Sequence, residues 1–271
     1  MQRGSMRRIS TKNGMRRKIT PAQRRHMDYL RRNGLKVGRI YEARLIKARR
    51  KEVRRLLELC KDWNDPSQWA AVIDEHLNEG YLYDWFKGLY IDAGLPRAKS
   101  QARDLSNGKS TPEEDYWRNE LTHYAEQRAG EEITLVSGTF KETLVGAVRK
   151  TMLDFPEAGV EKIAKQIFAS YADIELWQAR RIAQTETMIG LADAGHMAAM
   201  SLDVPFKKQW AISGLGNTRE THEQMDGIIV DQNEPFILPE GDMMMYPHDS
   251  SMGASAGEII NCACDCIRLA I

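Results

Sequence analysis

The sequence predicts an α+β chain whose first two-thirds is mostly helical and whose C-terminal end is a small β-rich domain. Three observations carry that expectation. Apolar residues recur every three to four positions through most of residues 20–204. Past Pro205 the pattern shortens to β-type runs separated by Gly, Pro, Asn and Asp. Three of the 4 cysteines fall within the last ten residues, beside a dense series of turn residues. The organisation expected is a flexible basic arm over residues 1–19, a helical domain over 20–155, and a domain over 156–271 that is helical to about 204 and then stranded.

The elements follow in order. Residues 1–19 are rich in Arg, Lys, Ser, Gly and Asn and show no apolar period. Thr20-Pro21 reads as an N-cap with proline at the first helical position, opening a helix to Arg32 that Asn33-Gly34 ends. A second helix is expected over 38–59, with Ile40, Leu45, Val53, Leu56, Leu57 and Cys60 as its apolar stripe. Asp65-Pro66 starts another, and the aromatic cluster Tyr81, Tyr83, Trp85, Phe86 and Tyr90 continues a helical, core-type pattern to Ala93. Gly94, Pro96, Gly108 and Pro112 mark residues 94–112 as a connection. Helices are expected over 112–129, 139–152, 157–170 and 174–201. The last carries the small residues Ala192, Ala194, Gly195, Ala198 and Ala199, suited to close helix contact. Strands are expected at 207–213, 228–231, 236–238 and 258–264.

Charge is distributed steeply. Residues 1–61 carry 21 Lys and Arg against 4 acidic side chains, and the rest of the chain offsets this to a formal net charge of +1. Such a segment attracts a polyanion, because neutralising phosphates releases condensed counterions. The alternative is an arm docked on acidic surface of the same chain or a neighbour. Candidate nucleic-acid contacts are Arg24, Arg25, Arg31, Arg32, Arg49, Arg50, Lys51, Arg54 and Arg55. No apolar run is long enough to span a membrane, no secretory apolar stretch follows the basic N-terminus, and the cysteine count gives no disulfide framework.

The last quarter holds an ordered series: Trp210, Thr218-Arg219-Glu220-Thr221-His222, Asp226-Gly227, Phe236, and Cys262-Ala263-Cys264, preceded by Thr185-Glu186 and Lys208-Gln209-Trp210. In this order the pieces resemble the Mu F-like minor head proteins of tailed bacteriophages, over roughly residues 160–266. Ala263 stands where that family commonly has Arg, and Cys266 is an addition. The resemblance implies a low-copy structural component that associates with the portal protein and with major capsid or scaffold protein during prohead assembly. It implies work in the bacterial host cytoplasm, then a place in the virion at the head interior or portal vertex, with genomic double-stranded DNA as a further partner. It implies no catalytic residue.

Cys262, Cys264 and Cys266 with His222 or His248 form an accepted zinc-ligand set. Buried free thiols and redox chemistry are the alternatives. In a regular strand alternate cysteines stand about 6.6 Å apart, whereas ligands of one zinc come within about 3.8 Å, so only a turn brings two of them together. Thr218, Arg219, His222 and Asp226 read as structural: Thr218 as a cap, Arg219 pairing with Glu220, Glu223 or Asp226, and Asp226-Gly227 as a tight hairpin turn. The enzyme alternative is a distant similarity to ADP-ribosyltransferase-like folds, with Arg181, Ser213 and a glutamate such as Glu223 as the dinucleotide site. That family's Glu-x-Glu pair is missing here.

Overall fold

A computed structural model describes residues 15–61, 68–108, 114–155, 160–213 and 218–271. The chain is α+β: five helices come first, apart from one short opening strand, and antiparallel strands gather at the C-terminal end. Residues 1–14 of the expected arm lie outside the described residues. Its end is ordered, contrary to expectation. Met15–Arg16 form strand β1, which pairs antiparallel with Ile228 and Ile229. Arg17 N–H then donates to the Gly227 carbonyl at 2.9 Å. An edge strand offered main-chain partners takes them whatever the side chains, and a basic composition does not prevent it.

Helix α1 runs without a break over Pro21–Lys61, where two helices were expected. It opens as read: Thr20 Oγ1 accepts the Gln23 N–H at 3.2 Å, and Gln23 Oε1 accepts the Thr20 N–H at 2.9 Å, a reciprocal capping box. Asn33-Gly34 does not end it, because its buried positions continue at helical spacing through Met27, Arg31, Gly34, Gly38, Tyr41, Leu45, Arg49, Val53, Leu56 and Cys60. Gly34 is there for close packing. A Cβ would come 2.3 Å from Leu191 Cδ1. Ile40, counted in the stripe from sequence, is 53% exposed.

The same correction recurs downstream. After the short α2 (Trp69–His76), helix α3 spans Tyr81–Ser106, straight through the expected connection. Pro96 removes one helical N–H, but Leu95, Ala98 and Ala102 pack against Trp117, Leu121, Ala194 and Ala198, and this burial holds the helix. Asn107 in the left-handed conformation ends it. Helix α4 (Glu114–Asp154) replaces two expected helices, and α5 (Val160–Met200) replaces two more. Along α4, Leu121, Ala125, Val136, Phe140, Leu144 and Val148 keep one buried side. Helix α5 packs along α1, α3 and α4.

Strand β2 (Phe206–Ala211) lies inside a four-stranded antiparallel sheet of order β1-β3-β2-β6, with β3 at Ile228–Asp231 and β6 at Asp265–Ala270. Between β2 and β3 comes α6 (Glu220–Met225). Strands β4 (Phe236–Ile237) and β5 (Met243–Met244) form a separate ladder, followed by α7 (Ala256–Ile259). The last strand therefore starts later than expected: residues 256–259 are helical, and Cys262 and Cys264 precede β6. One apolar core joins both parts of the chain, from Tyr41, Phe86 and Tyr90 to Trp210, Phe236 and Cys262.

Candidate metal centre

Two of the three clustered cysteines meet a histidine in the core. His222, Cys262 and Cys264 are all buried, with one ligand atom of each within 4.8 Å of the others. His222 Nδ1 lies 3.5 Å from Cys262 Sγ and 3.4 Å from Cys264 Sγ. Around a tetrahedral zinc, with bonds of about 2.3 Å to sulfur and 2.0 Å to nitrogen, a nitrogen and a sulfur ligand stand about 3.5 Å apart. The cluster has that spacing.

Each side chain is set by local structure. His222 sits on α6, where Trp210 of β2 meets its ring edge-on at 5.3 Å and Phe236 packs on the other side of Trp210 at 5.3 Å. Its Nε2 lies 2.6 Å from Glu258 Oε2 of α7, and Thr221 Oγ1 donates to the same carboxylate at 3.2 Å. A carboxylate behind an imidazole fixes which ring nitrogen faces a metal. The cysteines come from the turn after α7. There Asn261 adopts φ 56°, its N–H donates to Thr185 Oγ1 of α5 at 3.3 Å, and Cys264 N–H donates to Cys262 Sγ at 3.3 Å.

The thiols are electronically distinct. Cys262 is held well below the ordinary thiol range, first by the Cys264 S–H bonded to it and then by His248 and His222, against burial that opposes ionisation. Cys264 is pushed well above that range, by the same bond to Cys262 and by burial. A cation bound to both sulfurs would displace the proton between them.

Cys266 is not in the group. It lies within β6 opposite Trp210, its Sγ reaches the Ile267 carbonyl at 3.8 Å, and burial pushes its thiol up. Alternation and rise along the strand carry it away from the turn that brings the other two together.

No family profile matches the chain, and no solved structure matches it. Among curated proteins it is 34% identical over 113 residues to the NAD(+)–arginine ADP-ribosyltransferase EFV of Enterococcus faecalis, a match spanning 37% of this chain and 22% of that protein. It is 32% identical over 90 residues to the uncharacterized protein YqbB of Bacillus subtilis, spanning 32% of this chain and 29% of that one. The chain thus spans less than a third of the length of either relative.

The other sequence candidates are placed as follows. Arg219 does not pair with an acid of its own segment. It caps α6 by backbone alone and donates to the Ile260 carbonyl, which ties α6 to the cysteine turn. Thr218 is not the cap. Asp226 accepts Arg24 Nη2 at 2.6 Å and the Ile212 N–H at 3.1 Å. Gly227, at φ 81°, leads out of α6 into β3 rather than joining two strands, and a Cβ there would come 2.5 Å from the Arg17 carbonyl oxygen.

Two of the nine basic candidates cannot meet phosphate. Arg31 is 3% exposed, donating to Asp28 and to the Ser213 carbonyl, and Arg49 is fully buried over the Phe140 ring. Arg24, Arg50 and Arg55 hold Asp226, Glu175 and Glu52. Arg25, Arg32, Lys51 and Arg54 stay exposed, joined by Lys36, Arg39 and Lys47, which the sequence reading omitted. Glu258 was also missed. It carries no motif, and only the fold brings it behind His222.

Proposed function

We propose that this chain is a structural assembly component, a minor head protein of a tailed bacteriophage that associates with the portal during prohead assembly, and that its His222-Cys262-Cys264 cluster holds structural zinc. The observation that supports this reading is the convergence of the ordered motif on one core. Thr185 bonds the cysteine turn, Trp210 packs between His222 and Phe236, Gly227 N–H donates to the Trp210 carbonyl at 2.9 Å, and His222 faces both thiols. Residues spread over eighty positions serve one local architecture, which is what a rigid adaptor needs.

Zinc suits the site because thiolate and imidazole are its ordinary structural ligands and the ion has no redox chemistry to disturb a buried centre. Exposed Arg25, Arg32, Lys36, Arg39, Lys47, Lys51 and Arg54 line α1, a helix about 60 Å long at 1.5 Å per residue. Such a face would meet genomic DNA through phosphates, without base specificity. The test is capture of the tagged chain by portal, major capsid protein and genomic DNA from its own source, at low and high salt. Portal capture that survives salt with DNA capture that does not is the expected result. DNA capture alone would replace the adaptor by a basic nucleic-acid-binding protein.

A second reading, ADP-ribosyltransferase-like activity, draws on the partial match to the Enterococcus enzyme. Of its candidate residues, Arg181 lies over the Trp177 ring at 4.3 Å, the Ser213 carbonyl accepts Arg31, and Glu223 is exposed on α6. Consumption of nicotinamide dinucleotide, lost in Glu223→Gln, would favour this reading over the adaptor.

A further inference from the structure

We infer that His248 is the fourth ligand of the centre, so that His222, His248, Cys262 and Cys264 form a closed Cys2His2 site and Cys266 takes no part. This rests on the metal reading above and completes it.

His248 is 1% exposed, and its Nε2 faces the Cys264 carbonyl at 3.1 Å. A carbonyl can only accept, so Nε2 carries a proton, and in the neutral ring that a metal requires Nδ1 keeps the lone pair. That Nδ1 is buried and has no hydrogen-bond partner, a desolvated acceptor that a metal would satisfy. His222 presents Nδ1 to both thiols, with the Glu258 carboxylate 2.6 Å from its Nε2. His248 lies outside the group of ligand atoms within 4.8 Å of one another and reaches the same turn through the Cys264 carbonyl, so its Nδ1 would close on the thiols as the metal binds. In both rings an acceptor oxygen stands against the outer nitrogen. This is how metal-ligating histidines are oriented.

The backbone is bent to the same end. Among the described residues only Asn107, His248 and Asn261 are non-glycine residues with positive φ. Asn107 ends a helix, and the other two present the candidate ligands, at φ 76° for His248 and φ 56° immediately before Cys262. Such conformations persist only where the surroundings over-determine them. Cys266 lies apart, in β6, with Arg268, Asp265, Lys208 and Arg97 as its charged neighbours. Four protein ligands leave no open position, which makes the site structural rather than catalytic.

The test uses the full chain, with zinc content measured as purified and cobalt(II) substituted for optical spectra. The wild type should hold one metal per chain and show tetrahedral d–d bands with charge transfer from two thiolates. His248→Gln should weaken binding at least tenfold. His248→Cys should restore tetrahedral binding with the stronger charge transfer of three thiolates, which separates lost ligation from lost folding. Cys266→Ser should change nothing. Weakening by Cys266→Ser with none by His248→Gln would overturn the assignment while leaving the metal reading intact. A wild-type spectrum unchanged by either variant would mean an open, water-bound site and would also overturn it. A folded wild type that takes up neither zinc nor cobalt would end the metal reading itself.

Discussion

The Glu258 carboxylate lies 2.6 Å from His222 Nε2, and this contact turns the opposite ring nitrogen onto two cysteine sulfurs. Removing such an outer partner typically costs about 10–100-fold in metal affinity. Glu258→Ala should show that loss in competition with a chelator. Glu258→Gln, which keeps an acceptor oxygen, should lose much less.

The basic face of α1 and its buried arginines should separate cleanly. Replacing exposed Arg25, Arg32, Lys51 and Arg54 by Glu should leave the urea midpoint unchanged while lowering the salt slope of DNA binding by about 3–4, at roughly 0.9 per phosphate contact. Arg49 is different. It is buried, lies over Phe140 at 5.0 Å, and acts on the carboxylates of Glu79 and Glu175. Arg49→Met takes the cation from Glu79 while Glu175 keeps Arg50, and should destabilise by about 1–3 kcal/mol.

Lys208 has its Nζ bonded to the Met245 carbonyl at 2.8 Å, and burial pulls its pKa down to about 8. Between pH 8 and about 10.5 the unfolded chain binds the proton that the folded one has released, so its contribution to stability rises with pH in that window. Below pH 8 the folded lysine is charged and its burial cost is fully present. Lys208→Met should add about 1–2 kcal/mol at pH 7 and flatten the rise between pH 8 and 10, read by urea titration across that range.

Gly34 inverts the usual helix rule. Gly→Ala in an exposed helix interior gains up to about 1 kcal/mol, but here the new methyl meets Leu191 Cδ1 at 2.3 Å and Cγ at 3.1 Å. Gly34→Ala should therefore destabilise, by about 1–3 kcal/mol from overpacking, with a lowered melting temperature as the readout.

The α+β class, strands β2, β3 and β4 and most apolar faces were legible because burial imposes periods of about 3.6 and 2 on the sequence, whereas β1, β5 and the span of β6 were not. Helix ends were not. Gly34, Gly94 and Pro96 look like stops in isolation, and each is overruled by a neighbour that the sequence does not place beside it: Leu191, Leu121 and Ala194 for the glycines, and the Trp117–Ala198 cluster for the segment around the proline. The metal candidates divide the same way. Residue types pointed to His222 and the cysteines, and strand geometry required a turn, but only the late start of β6 separates Cys266 from Cys264. Arg31 and Arg49 show the opposite failure, since charge alone marks them as surface residues and helical phase puts them inside.

Strand β1 pairs with a segment roughly two hundred residues further along the chain. At a synthesis rate of 5–20 residues per second, the ribosome needs about 10–40 s after making Met15 before Ile229 exists. For that interval the first edge of the sheet has no partner, and whatever holds the nascent segment meanwhile competes with β3 for it. Closure of the sheet is then a late event in biogenesis, and an N-terminal fusion would act on its timing before it acted on any surface of the finished protein.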